Sequence, residues 1–272
     1  MPASLWSRYL TATRYALAEQ VRNRTALFLL VIFVPTWDYL FRLVIPDDPV
    51  SFLFRATNAM IRVSGLDLSL LTAGLYAITL IVGFMLFAST RKNTLFDRRL
   101  VLCGYPQSLL ILAKLTALVA VAIAVSFYTS LVILAFWQPA SLPLVWLGFL
   151  CSALGYGAFG LLIGSLVRGE LEGFFLIIMI SLIDTSLQNP IGNPVANEIF
   201  LRWFPSYSPM QFVVAGAFNR EIPWLYVLYS LAWPLVFAFL GFSIFSWKTH
   251  VWRYQKTPPI PMANGSPAEH DG

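Results

Sequence analysis

Residues 70–107 read LLTAGLYAITLIVGFMLFAS and then TRKNTLFDRRLVLCGYPQ. The first part runs twenty residues without a formal charge, and the second holds Arg91, Lys92, Asp97, Arg98 and Arg99. A helix rises about 1.5 Å per residue, so about 20 apolar residues cover a hydrocarbon core of about 30 Å. An uncharged run of that length, closed by a cluster of cations, reads as a membrane crossing that stops at the cytoplasmic face. Working outward from Leu70–Ser89, five further stretches are apolar for long enough: Thr25–Ile45, Ser108–Trp137, Leu144–Val167, Phe174–Asn189 and Trp224–Trp247. Hydrocarbon offers the backbone no hydrogen-bond partner, so these stretches must be helices, and the alternating segments of a membrane barrel are absent. The fold expected is all-α, a polytopic membrane protein with six transmembrane helices.

Composition agrees. Of 272 residues, 58% are hydrophobic and only 11% are charged, where soluble domains carry about 25%. The pieces left between the spans are too short to bury a second core. Residues 1–256 therefore read as one transmembrane domain, and 257–272, polar and small with four prolines, as a disordered cytoplasmic tail. The net charge of +5 does not point to nucleic acid, because its distribution follows the membrane. Arg8, Arg14, Arg22 and Arg24, then the four cations from Arg91 to Arg99, then Arg168, and finally Lys248, Arg253 and Lys256 fall on one side. Arg42, Arg55, Arg62, Arg202 and Arg220 fall on the other. The positive-inside rule puts both termini in the cytoplasm, as an even number of spans requires. No cleavable signal peptide is expected, and neither Cys103 nor Cys151 is placed to meet an oxidising compartment, so no disulfide is expected.

Ahead of the first span, Leu5, Trp6, Tyr9, Leu10, Thr13, Ala16, Leu17 and Val21 recur at three- and four-residue steps. Arg8, Arg14 and Arg22 fall on other faces. Residues 3–23 thus read as an amphipathic helix lying in the cytoplasmic interface, with Trp6 as an aromatic anchor and Arg8 and Arg14 on its basic side. The first span carries Asp38 and Arg42 one helical turn apart, read either as an ion pair near the outer end or as part of a polar pathway. The segment 46–69 after it suggests a short external interfacial helix around Phe52–Arg62. Lys114 lies one to two turns into the third span, where its stem can reach the inner headgroups. Residues 190–223 combine five prolines and glycines in Pro190, Gly192, Pro194, Pro205 and Pro209 with Ile199, Phe200, Trp203 and Phe212. This reads as short external or re-entrant helices packed back on the bundle.

Gly155-Tyr-Gly157-Ala-Phe-Gly160 matches the spacing of a dinucleotide-binding loop, but no strand precedes it and apolar residues surround it. Gly157, Gly160 and Gly164 share one helix face instead, a surface for close helix packing. The sequence shows no metal-ligand spacing, no nucleophile elbow and no phosphate-cradling GxxxxGK[ST] loop. A non-catalytic chain is expected, with no cofactor of its own.

Three patches, in order, resemble the ABC type-2 permease family, the membrane subunits of exporters whose ATPase is often a separate chain. Asp97-Arg98-Arg99 followed by Leu102, Gly104, Ser108 and Lys114 resembles the family's charged loop, its turn and the lysine entering the third span. The glycine-rich fourth span through Gly164-Ser165-Leu166 resembles its small-residue exit. Phe204-Pro205, Ser208-Pro209 and Ala215-Gly216-Ala217-Phe218 resemble its external proline-containing stretch. The resemblance implies a translocation pathway built by two permease copies, as a homodimer or with a related chain, and two ABC ATPase subunits that bind ATP and Mg. It implies that Asp97, Arg98, Arg99 and Gly104 form the ATPase-coupling element, beside the interfacial helix. Candidate pathway residues are Asp38, Arg42, Tyr76, Thr79 and Asp184. The localisation implied is the plasma membrane. Two rival readings from other classes are an integral membrane enzyme or assembly factor acting without an ATPase, and an ion-coupled secondary transporter.

Overall fold

The computed structural model describes residues 5–193, 196, 198–219 and 224–254. The expected tail, 257–272, lies outside them. Helix α1 (Leu5–Arg22) is followed after a single residue by α2 (Arg24–Val44). Asn23 makes that break: its Oδ1 accepts from the Ala26 N–H at 3.2 Å, capping α2. The remaining helices are α3 (Gly65–Leu102), α4 (Gln107–Phe136), α5 (Leu142–Leu166), α6 (Glu170–Gln188), α7 (Tyr207–Val214) and α8 (Trp224–Tyr254).

Among the described residues five helices are long and apolar enough to cross a membrane: α2, α3 over Gly65–Thr94, α4, α5, and α8 over Trp224–Trp247. The sixth expected span is a helix, α6, but it is not one of the five. Its nineteen residues include Glu170, Glu172 and Asp184, which thin its apolar run. It nevertheless runs along α3 through the bundle. Phe174 near its start meets the rings of Phe84 and Phe87, Ser181 bonds Thr79, and Ser186 bonds Tyr76.

The bundle has an inside and an outside. The apolar stretches of α3 and α5 are 83% and 78% buried within the chain, those of α2 and α8 only 11% each. Helix α3 packs chiefly on α5, while α2 leans on α3 and α8 on α5. The core runs along this central pair, with Leu71, Leu75, Ile78 and Val82 of α3 against Phe149 and Ala153 of α5.

Two expectations for the connections are corrected. The segment expected to form an external helix is a two-stranded antiparallel hairpin, β1 (Pro49–Phe54) and β2 (Ala59–Ser64), so the fold is helical but not purely so. The physical reason is a two-residue period: Val50, Phe52 and Phe54 turn inward, and Val63 and Ile61 sit opposite the first two in register. Asn58, at φ 53°, closes the turn in a left-handed conformation that asparagine tolerates. Ser64 then caps α3, accepting from the Asp67 N–H at 3.1 Å.

The second correction concerns Thr90–Gln107. Most of it is not a loop. Helix α3 continues for 38 residues, a length of about 57 Å, and carries Arg91 through Arg99 in its own last turns. At the far end of the bundle, the stretch after α6 forms a 3-10 turn (Ile199–Trp203), α7 and a π-helical turn (Ala215–Asn219). The Ala140 and Ser141 N–H groups donate to Ala217 and Gly216 carbonyls at 2.9 and 2.8 Å, stitching this segment to the α4–α5 turn. Short helices packed back on the bundle are what the sequence led us to expect there.

Candidate functional site

The end of α3 has a defined stop. Gly104 adopts φ +86°, and the Gly104 N–H donates to Val101 O at 3.1 Å while the Tyr105 N–H donates to Leu100 O at 3.0 Å. This pair of bonds ends a helix with glycine in the left-handed conformation and satisfies carbonyls that would otherwise be orphaned. Pro106 follows and α4 begins at Gln107. The turn is thus only Cys103–Pro106, and it reverses the chain sharply.

Across this turn Lys114 Nζ donates to Asp97 Oδ2. Lys114 does not stretch away toward headgroups; it is held over Asp97, which is only 4% exposed, and its charge offsets the cost of burying that carboxylate. Arg98 and Arg99 stay exposed on the outer side of the same helical turn. Arg91 donates to the Arg168 carbonyl beyond the end of α5. These contacts tie the ends of α3, α4 and α5 into one basic platform.

Helix α1 is fastened to it. Tyr105 Oη donates to Arg8 O at 2.7 Å, Tyr9 and Thr116 share a hydroxyl bond at 2.7 Å, and Glu19 Oε2 accepts from Ser89 Oγ at 3.2 Å and from Asn93 Nδ2. Burial raises the Tyr105 phenol above its ordinary value, with the Arg8 charge pulling partly the other way, so it remains a proton donor at neutral pH. On the side facing α4, Thr13 and Gln20 are buried. Leu5, Trp6, Leu10 and Val21 remain exposed and so does Arg14.

Of the candidate pathway residues, three come together. Thr79 Oγ1 and Ser181 Oγ lie 2.5 Å apart, Tyr76 and Ser186 share a hydrogen bond one turn away, and Asp184 follows on α6. Asp184 Oδ2 accepts from Tyr156 Oη at 2.5 Å, Ser206 Oγ at 2.7 Å and the Ser206 N–H at 2.9 Å. It therefore joins α5 and α6 to the start of α7. Thr79 and Asp184 are 0% and 1% exposed, so in the single chain they face inward along a polar seam between α3, α5 and α6.

Asp38 and Arg42 lie elsewhere, on α2. Of the two readings, the ion pair between them is not formed: Asp38's oxygens have no hydrogen-bond partner among the described residues. Arg42 Nη1 instead approaches the Phe136 carbonyl at 3.4 Å, a cation at the C-terminal end of α4. Asp38 is fully buried on the side of α2 that also buries Leu30 and Val34, and among the described residues neither of its oxygens has a hydrogen-bond partner.

Of the five glycines of α5, Gly157, Gly160 and Gly164 face α3 and α4. A Cβ at Gly160 would lie 2.3 Å from Gly83 O, at Gly157 2.2 Å from Leu118 Cδ1, and at Gly164 2.8 Å from Thr90 Cβ. At Gly160 the obstacle is backbone, which cannot rotate away.

Sequence reasoning missed Tyr156, Ser206, Glu19, Asn93 and Tyr105. Each is a single polar residue in an ordinary context, and what marks it is a partner 22 to 97 residues distant. Among the described residues no group of three His, Cys, Asp or Glu side chains could hold a metal ion. Compared with models of known protein families and with curated proteins, the chain matches none of them.

Proposed function

We propose that this chain is the permease subunit of an ATP-driven exporter of the ABC type-2 kind, working with two copies of a separate ATPase chain and a second permease. The observation that carries this reading is the unbroken α3. A helix that leaves the apolar core and carries Arg91–Arg99 to a glycine-stopped turn is a rigid lever. A push on its exposed Arg98–Arg99 end moves the central helix of the bundle, and α5 with it. Helix α1, tied to the same end through Tyr105, Asn93 and Ser89, moves as part of that unit. The sparse burial of α2 and α8 leaves lateral faces for lipid and for a second permease copy.

In this reading α6 is a sixth crossing. It begins just past α5, whose last turns pack on Thr90, and leads to the stretch stitched to the α4–α5 turn at the opposite end. Both termini then lie in the cytoplasm of a plasma-membrane protein. Asp38, Arg42 and the seam of Tyr76, Thr79 and Asp184 are the polar groups available to a pathway.

The test is the double charge reversal Arg98→Glu with Arg99→Glu. Membrane insertion and helix content are expected to be unchanged, while a nucleotide-binding chain no longer co-purifies in mild detergent and transport-coupled ATP hydrolysis is lost. Full coupling in the double variant, or ion-gradient-driven transport by the purified chain with no ATPase present, would overturn the proposal.

A further inference from the structure

Between α1, the start of α2, the far end of α3, and α4 lies an open chamber of about 1180 Å³. Pockets for drug-sized molecules hold about 300–1,000 Å³, so this one is larger than a small solute requires. Its wall is mixed in character. Part is apolar, with Leu86, Leu110, Ala117 and Phe174. The rest is charged: Arg22, Arg24, Arg91, Lys92 and Lys114 line it with Glu19, Asp97 and Glu170, an excess of two positive charges. Lys114 and Asp97 neutralise each other and Glu19 is occupied by Ser89 and Asn93.

Two buried polar atoms of residues on this wall have no hydrogen-bond partner among the described residues. Gln20, 4% exposed, has a buried Oε1 with no hydrogen bond, and Arg91 Nε is likewise buried and unbonded. Arg24, on the chamber wall, is where the first apolar run begins.

We propose that this chamber binds one anionic phospholipid from the leaflet on the α1 side. Its phosphate lies among Arg22, Arg24 and Lys92, and an acyl chain lies along Leu86, Leu110 and Phe174. The lipid fills the gap between α1 and the bundle and so sets the position of the interfacial helix. This requires only insertion in a membrane and holds whether or not the chain works with an ATPase.

Titration of the full-length purified chain, followed by native mass spectrometry, tests it with three probes: phosphatidylglycerol, phosphatidylcholine and inorganic phosphate. One phosphatidylglycerol per chain is expected, bound about tenfold or more tighter than phosphatidylcholine and not displaced by millimolar phosphate. Each cation near an anionic lipid surface contributes roughly 1 kcal/mol, so Arg22→Gln, Arg24→Gln and Lys92→Gln together are expected to weaken phosphatidylglycerol about a hundredfold. The charge-preserving set Arg22→Lys, Arg24→Lys and Lys92→Arg is expected to retain it. Should the neutralised variant not fold, Ala12→Phe, which fills the chamber from α1 and keeps every charge, is expected to reduce binding as well. Equal affinity for the two lipids, displacement by free phosphate, or unchanged phosphatidylglycerol binding in Ala12→Phe would each overturn the proposal.

Discussion

Asp97 and Lys114 are seventeen residues apart and lie on two helices that meet at a four-residue turn. Asp97 is buried, so Lys114→Met would leave a carboxylate without a counter-charge. A loss of about 3 kcal/mol is expected, seen as a lowered thermal midpoint in detergent. The double variant Asp97→Asn with Lys114→Gln removes both charges, and recovery of most of the loss is expected. Asp184 offers a second residue-scale test. Its Oδ2 collects three donors from α5 and α7, so Asp184→Leu orphans the Tyr156 hydroxyl and the Ser206 N–H at an expected cost of about 2–4 kcal/mol. Asp184→Asn keeps an acceptor oxygen and is expected to cost less than half as much in the same melting experiment. If the two substitutions are equivalent, the carboxylate is not the anchor of α7.

At the scale of elements, the tightest junction is α3 on α5. A Cβ at Gly160 meets the Gly83 carbonyl, so Gly160→Leu forces the two central helices apart. A cost at the upper end of the roughly 1–3 kcal/mol seen for overpacked cores is expected, read as reduced yield of monodisperse protein and a lowered melting point. Gly192, with nothing near it, serves as the control, and alanine there is expected to be silent. This junction was legible in the sequence, because three glycines at helical spacing inside an apolar run have few other uses. The long helices were legible for the same kind of reason, since length and hydropathy alone define them. The hairpin at Pro49–Ser64 was not. Its alternation is short and its aromatic residues also suit an interfacial helix; only the cross-strand register decides between them. The continuation of α3 past Thr90 was hidden as well, because charge marks the edge of the membrane and says nothing about where a helix stops. Gly104 supplies that stop, and Gly104→Ala is expected to cost about 1–2 kcal/mol from the left-handed conformation alone, checked by thermal unfolding.

For the molecule as a whole, the arrangement places α1, the α3–α4 turn and the α5–α6 turn at one end, and the hairpin, the α4–α5 turn and α7 at the other. The basic platform and the lever reading depend on the first of these ends facing the cytoplasm. The protein carries its own probe of this. Cys103 is exposed in the α3–α4 turn, and Cys151 is buried in α5. Intact cells are treated with a membrane-impermeant maleimide, before and after permeabilisation, and labelling of the purified chain is quantified against a Cys103→Ser control. The account predicts no labelling in intact cells and near-complete, Cys103-dependent labelling once the membrane is opened. Labelling of Cys103 from outside intact cells would contradict it.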